Sequence, residues 1–110
     1  MKVIGFAFLG AAVALTSCAA PAAENIRPAL IANLCRAEAD MAGIIMKKRQ
    51  AGAPQSEVLN SFGHESRPET VAIIRRLVAA AYAHPRTDDA AAAVERFKTE
   101  QSARCLRVTH

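Results

Sequence analysis

Apolar residues recur at three- and four-residue steps between Pro28 and about Gln50. That period places them on one face of an α-helix. Asn25 is suited to cap the start of this helix, and Gly52 and Pro54 are suited to end it. The sequence therefore predicts a long first helix with a buried face formed by Leu30, Ile31, Leu34, Cys35, Met41, Ala42 and Ile45.

The same pattern predicts two more helices in the middle of the chain. A short helix is expected from Pro54 to about Ser61, followed by a loop with the sequence FGHESRP. The loop leads into a capping box, Ser66-x-x-Glu69, which is typical of a helix start. The third helix should end before Pro85, because a proline disfavours helical backbone in the preceding residue. The apolar faces would consist of Val58, Leu59 and Phe62 in the short helix, and of Val71, Ile74, Leu77, Val78 and Tyr82 in the long one.

A fourth helix is expected after Thr87, with a hydroxyl cap and two carboxylates, Asp88 and Asp89, at its positive end. No alternating run is long enough for a strand, so the predicted fold class is all-α: a small bundle of three longer helices and one short helix. The apolar line of the last helix runs through Ala90, Val94, Phe97, Gln101 and Cys105.

The first residues have the composition of an export signal. Met1 and Lys2 precede an apolar run from Val3 to Leu15. Such a run is typical of a secretory signal peptide and is shorter than the roughly 20 residues that a membrane-spanning helix needs. We expect residues 1–22 to form the signal peptide and residues 23–110 to form a helical domain, located in the periplasm or on the outer membrane.

Two processing sites compete in this leader. Residues 20–22, Ala-Pro-Ala, fit ordinary signal peptidase and would release a soluble chain that starts near Ala23. Residues 15–18, Leu-Thr-Ser-Cys, resemble the bacterial lipobox instead. That resemblance implies cleavage before Cys18 and a lipid on that cysteine, which would be the only contact with a membrane. The sequence leaves both alternatives open.

Either route leaves two cysteines in the domain, Cys35 and Cys105. An even number of cysteines in a short exported chain predicts a disulfide, because the periplasm oxidises thiols. The bond would join the first helix to the last inside the bundle, and these helices should then run antiparallel. A reactive thiol beside a histidine is the alternative, although neither cysteine belongs to a C-x-x-C motif.

The domain is basic, since removing Lys2 from the formal net charge of +4 leaves +3. A positive surface favours anionic lipids or an acidic partner protein, whereas export and the scarcity of aromatic residues argue against nucleic acid. The stretch Ile44-Ile45-Met46 is broader than one core stripe requires, so an apolar edge should lie beside a basic triplet. The predicted partner surface consists of Ile44, Met46, Lys47, Lys48 and Arg49, with ordinary solvated helix faces as the alternative.

Residues capable of catalysis do not form a recognisable motif. His64-Glu65 could supply a general base and its partner, and Asp88-Asp89 could bind a metal. A solvated loop and charges at a helix start explain these two pairs more simply. We therefore predict no catalytic residue, no cofactor and no metal.

Several short motifs together resemble a known group of proteins. They are a cysteine early in the first helix, the RQxG motif at residues 49–52, the AYxxP motif at residues 81–85 and a late cysteine. This combination is similar to small exported helical proteins of proteobacteria that have no assigned function. The resemblance implies export, helices and one disulfide, and it implies no catalytic residue.

Three functional classes follow. The leading expectation is a non-enzymatic protein that binds another envelope protein as an inhibitor, an immunity factor or an accessory subunit. The second is a periplasmic stress chaperone, which would expose apolar surface at low pH. The third is an enzyme of unknown type.

Overall fold

The computed structural model describes residues 27–108. The predicted signal peptide, the lipobox-like residues with Cys18 and the predicted Asn25 cap lie outside the described residues. Residues 27–33 and residues 34–108 belong to different units of the chain. Residues 27–33 are helical, with Leu30 exposed, and residues 34–108 contain the core and the disulfide.

Four helices and no strand make up the described part of the chain. Helix α1 covers residues 27–50, α2 covers Gln55–Ser61, α3 covers Pro68–Tyr82 and α4 covers Ala90–Val108. The predicted all-α class, with three longer helices and one short helix, is confirmed.

Gly52 ends α1, as the sequence predicts. Its φ of 91° lies in the left-handed region, which a glycine adopts without a Cβ penalty. The N–H of Ala53 donates to the carbonyl oxygen of Lys48, and the N–H of Gly52 donates to that of Arg49, both at 3.0 Å. This pair of bonds is the Schellman arrangement, which satisfies the last carbonyl groups of a helix.

The predicted capping box at the start of α3 is wrong. Arg67, not Ser66, occupies the N-cap position, and no side chain caps the helix. Pro68 explains the difference, because it takes the first helical position and holds the preceding residue in extended backbone, with φ −74° and ψ 121° at Arg67.

The predicted hydroxyl cap of α4 is also wrong. The Oδ1 atom of Asp89 accepts the N–H of Ala92 at 3.1 Å, whereas the hydroxyl of Thr87 donates to the carbonyl oxygen of Asp89. A carboxylate therefore caps this helix, where it also complements the helix dipole.

The core lies where α1, α3 and α4 meet, and α2 packs on α3. The buried line of α4 contains Ala93 and not Ala90, which is exposed. On α1, Leu34 is 60% exposed, so the predicted buried face is too wide at that position. Leu34 lies about 100° around the helix from Cys35, which is buried. The central cluster comprises Ala42, Ile45, Met46, Val58, Ile74, Leu77, Val78, Ala81 and Phe97.

A disulfide joins Cys35 of α1 to Cys105 of α4, with the two Cα atoms 5.5 Å apart. Farther along, a Cβ atom on Gly43 would lie 2.8 Å from the Cδ atom of Lys98. The residue number of the contact rises along α1, from Cys35 to Gly43, while it falls along α4, from Cys105 to Lys98. These helices are therefore antiparallel. The predicted disulfide and the predicted helix direction are both confirmed.

Candidate functional site

The predicted partner surface has exposed and buried members. Ile44 is 55% exposed, Lys47 is exposed, and Lys48 is half-buried. Met46 is only 1% exposed and belongs to the core, so its assignment to this surface is wrong. It lies four residues after Ala42 and therefore shares the core-facing side of α1.

Ile44, Lys47 and Lys48 are neighbours at three- and four-residue steps along α1, and we call them the α1 ridge. None of the ion pairs within residues 27–108 involves Lys47 or Lys48. The ridge thus combines an exposed branched apolar side chain with two cations that the described part of the chain leaves available.

Arg49 has a structural role and is not a free member of the surface. Its Nε atom donates to the carbonyl oxygen of His84 at 3.1 Å, and its guanidinium carbon lies 5.0 Å from the centre of the Tyr82 ring. A cation over an aromatic face is attracted by the ring quadrupole. Arg49 therefore holds the end of α1 against the end of α3, and the prediction that it serves a partner is corrected.

Gln50 is buried and binds the loop that joins α3 to α4. Its Nε2 atom donates to the carbonyl oxygen of Pro85 at 3.0 Å, and its Oε1 atom accepts the N–H of Thr87 at 2.8 Å. A third hydrogen bond joins the same segments: the Nε atom of Arg86 donates to the backbone carbonyl oxygen of Gln50 at 3.2 Å. One side chain thus satisfies two backbone groups of the loop, as buried polar groups require.

Tyr82 completes this cluster by donating its hydroxyl proton to the carbonyl oxygen of Ala53. We call Arg49, Gln50, Tyr82, Arg86 and Thr87 the polar lock. The RQxG and AYxxP motifs, separate in sequence, therefore meet at one end of the bundle. Their shared function in this chain is to fix the α3–α4 loop to the end of α1.

A cavity of about 130 Å³ lies beside the polar lock. His84 and Glu100 line it, and the Nε2 atom of His84 lies 3.6 Å from the Oε2 atom of Glu100. The His84 ring also contacts Phe97 edge-on, at 5.6 Å between centres. The hydroxyl of Thr87, another lining residue, is engaged with the backbone of Asp89 at 3.1 Å. The cavity brings an imidazole and a carboxylate together, and the Thr87 hydroxyl beside them already has a structural partner.

Glu65 pairs with Arg67 and not with its neighbour His64. The Nε atom of Arg67 donates to the carboxylate at 2.9 Å, and the backbone N–H of Arg67 donates to it at 3.1 Å. The side-chain hydrogen bond is the larger cause that lowers the pKa of Glu65 to about 2, followed by the backbone bond. The same pairing raises the pKa of Arg67. The Glu65 carboxylate is therefore engaged as a hydrogen-bond acceptor by Arg67.

A second polar cluster joins three helices near the disulfide. Arg76 of α3 donates to the carboxylate of Glu38 on α1 and, through its other terminal nitrogen, to the Oε1 atom of Gln101 on α4 at 3.1 Å. The Glu38 side chain is 9% exposed and that of Arg76 is 29% exposed. Charge patterns along single helices do not reveal this cluster. The only signal in the sequence is that Gln101 interrupts an apolar line.

An open groove runs between α1 and α4, and no residue of α2 or α3 lines it. The stem of Lys98 crosses it at Gly43. The part near the polar lock has a volume of about 500 Å³ and the part nearer the disulfide about 400 Å³. Most of the lining is small: Ala51, Ala90, Ala91 and Val94 in the first part, and Ala39, Ser102 and Ala103 in the second, with Lys47, Glu95 and Lys98 among the charged members.

Asp88 and Asp89 belong to the start of α4, and Asp89 acts as its cap. Within residues 27–108, no group of three or more His, Cys, Asp or Glu side chains is placed to hold a metal ion. No helix in that range is both long and apolar enough to cross a membrane.

Comparisons with known proteins give no match: no protein-family model, no curated protein and no solved structure matches this chain. Function must therefore be argued from the surfaces of the molecule itself.

Proposed function

We propose that this chain is a non-enzymatic, exported protein of the bacterial envelope that binds another envelope protein through the α1 ridge. The observation that carries the proposal is Ile44, which is 55% exposed in the middle of a helix whose neighbouring residues Ile45 and Met46 are fully buried. An exposed branched apolar side chain beside two lysines that have no ion-pair partner within residues 27–108 supports a contact surface.

The chemistry of the ridge describes the partner. Lys47 and Lys48 lie within one helical turn of Ile44 and have no ion-pair partner within residues 27–108. A partner with an apolar pocket for Ile44 and carboxylates around it would be complementary in both shape and charge. The lysines would speed the encounter, and burial of Ile44 would slow dissociation.

Three of the larger polar side chains, Arg49, Gln50 and Arg76, are used by the fold. Arg49 and Gln50 hold the α3–α4 loop, and Arg76 holds Glu38. These roles support binding in preference to turnover, with the partner acting as the target of an inhibitor, an immunity factor or an accessory subunit.

Export and anchoring form part of the same proposal. The apolar leader followed by Leu-Thr-Ser-Cys supports a lipid on Cys18, and a Cys35–Cys105 disulfide suits an oxidising compartment. The resemblance to small exported proteobacterial proteins agrees with this location. Mass spectrometry of the mature N-terminus tests the anchor: a diacylated or triacylated Cys18 supports it, and an unmodified start at Ala23 contradicts it.

The binding proposal is tested by affinity capture from envelope extracts after cross-linking in cells. We expect one stoichiometric partner, and we expect Ile44→Asp and Lys48→Glu each to lose it while circular dichroism stays unchanged. Val108→Asp and Arg107→Glu are matched controls, since they replace a branched apolar and a basic residue in the same way at exposed positions at the end of α4. A partner that binds the ridge variants as well as the controls would refute the assignment.

A stress chaperone is the second candidate, favoured by Leu34, which is 60% exposed one residue from the disulfide. A chaperone would capture many unfolded clients instead of one partner. Suppression of client aggregation at low pH, reduced by Leu34→Asp and unaffected by Ile44→Asp, would support this alternative.

A further inference from the structure

We infer that the α1–α4 groove is the interface with a second copy of this chain. Two copies would pack groove to groove, with Lys47 of each copy beside Glu95 of the partner subunit. This inference does not rest on the proposed function: Lys47 belongs to both the α1 ridge and the groove, but Ile44 and Lys48, whose variants test the proposed function, line neither part of the groove.

The relative levels of the residues make this pairing geometrically consistent. Cys35 is level with Cys105, and Gly43 is level with Lys98. At the same rise per residue, Lys47 of α1 is level with Val94 of α4 and within one residue of the level of Glu95. Lys47 and Glu95 line the same part of the groove. A two-fold axis parallel to the helices keeps every level unchanged and places α1 of one copy over α4 of the other. It therefore brings Lys47 opposite the carboxylate of Glu95 of the partner subunit, twice per dimer.

A second charge pair follows from the same axis. Asp40 lies on α1, and the Nζ atom of Lys98 reaches it at 3.9 Å within one copy. The two residues are close in level, so Asp40 would also face Lys98 of the partner subunit. Glu95, whose side chain is 74% exposed, is 3.9 Å from the same ammonium group and can accept a further cation.

The charge balance of the groove favours a second copy over a charged partner of another kind. Lys47, Lys98 and Glu95 line the groove, and Asp40 lies beside it with its Oδ1 atom 3.9 Å from the Nζ atom of Lys98, so these four charges cancel. The whole chain has a formal net charge of +4. A surface that attracts an acidic partner would carry a surplus of cations, whereas a neutral pattern of alternating signs is complementary to itself.

The floor of the groove suits close helix packing. Ala91 and Ala51 leave room for a neighbouring backbone, and Val94 supplies apolar contact. Because α1 and α4 are antiparallel, the rotation places each helix over one that runs in the opposite direction. The result is an antiparallel four-helix arrangement, which is a common and stable way to cover paired helices.

Sedimentation equilibrium of the protein, expressed with its own leader and purified as processed in cells, tests this inference. We expect a monomer–dimer equilibrium that weakens as salt is added. Lys47→Glu and Glu95→Lys should each raise the dimer dissociation constant by about tenfold or more, since each creates two like-charge contacts. The double variant K47E/E95K should restore dimerisation, because both residues exchange signs.

Two further variants keep the test independent of folding and of overall charge. Glu57→Lys makes the same charge change on α2, away from the groove, and should leave the dissociation constant unchanged. Ala91→Arg places a long side chain in the groove at an exposed helix position and should abolish the dimer with helix content unchanged. A protein that stays monomeric at all concentrations would overturn the inference. A dissociation constant that neither Lys47→Glu nor Glu95→Lys changes would also overturn it. So would a double variant that does not recover dimerisation.

Discussion

The side-chain oxygen of Gln50 accepts the backbone N–H of Thr87 at 2.8 Å, across 37 positions of sequence. The amide nitrogen of the same side chain donates to Pro85 at 3.0 Å. Gln50 thus takes the place of a backbone partner for a loop that has no regular structure. Gln50 also lines the part of the α1–α4 groove near the polar lock, so this contact lies beside that surface.

Replacing Gln50 with alanine should loosen the α3–α4 loop. The change leaves the N–H of Thr87 and the carbonyl of Pro85 without their partner, which should cost about 2 kcal/mol of unfolding free energy. Hydrogen exchange gives a local measurement: the Thr87 amide should exchange faster. The amide of Ala92 donates to the Asp89 cap and lies outside this contact. Its exchange rate should change only as much as the change in global unfolding requires. Equal acceleration at both amides would mean that Gln50 acts on global stability alone.

Removing only one partner of the Arg76–Glu38 ion pair should lower the free energy of unfolding. Arg76→Met leaves the nearly buried Glu38 carboxylate without its cation, and we expect a loss of about 3 kcal/mol in urea unfolding. Glu38→Leu combined with Arg76→Met removes both charges and should recover most of that loss. A double variant as unstable as the sum of the two single variants would show that the charges do not interact.

Periodicity was sufficient to predict the helices, because residues such as Ile74, Leu77 and Val78 repeat at helical steps and are buried. Cysteine count predicted the Cys35–Cys105 bond for a similar reason, since the predicted domain, residues 23–110, has two cysteines, which allow one pairing. These features depend on local spacing or on composition, both of which a single sequence contains.

The contacts between distant polar residues could not be predicted in this way. Gln50 and Thr87 meet because of the angle at which α4 returns to α1, and no local pattern encodes that angle. The assignment of Met46 and Arg49 to the surface failed for a related reason. The width of an apolar stripe shows that some residues must be exposed, but neighbouring helices decide which ones. Ile44 is exposed, as the prediction allowed, and Met46 is covered.

The Cys35–Cys105 disulfide should contribute a large part of the stability. It closes a loop with a sequence separation of 70, for which chain entropy gives about 4 kcal/mol. We expect urea unfolding in the presence of a phosphine reductant to shift to lower midpoints by a corresponding amount. The variant with Cys35→Ala and Cys105→Ala is the control and should unfold at a midpoint that the reductant does not change. A wild-type midpoint insensitive to complete reduction would contradict the prediction.

The pairing of Glu65 with Arg67 should make part of the stability depend on acid pH. Hydrogen bonds from Arg67 lower the pKa of Glu65 from 4.5 to about 2 in the folded chain. The unfolded state therefore binds the proton more readily, so the contribution is complete above the unfolded pKa and is lost as the pH falls through the folded pKa. The difference in unfolding free energy between wild type and Glu65→Gln should shrink between about pH 4.5 and about pH 2. In an Arg67→Gln background most of that dependence should vanish. Nuclear magnetic resonance titration of the Glu65 carboxyl carbon provides the direct measurement, and a midpoint near 4.5 would show that the pair does not form in solution.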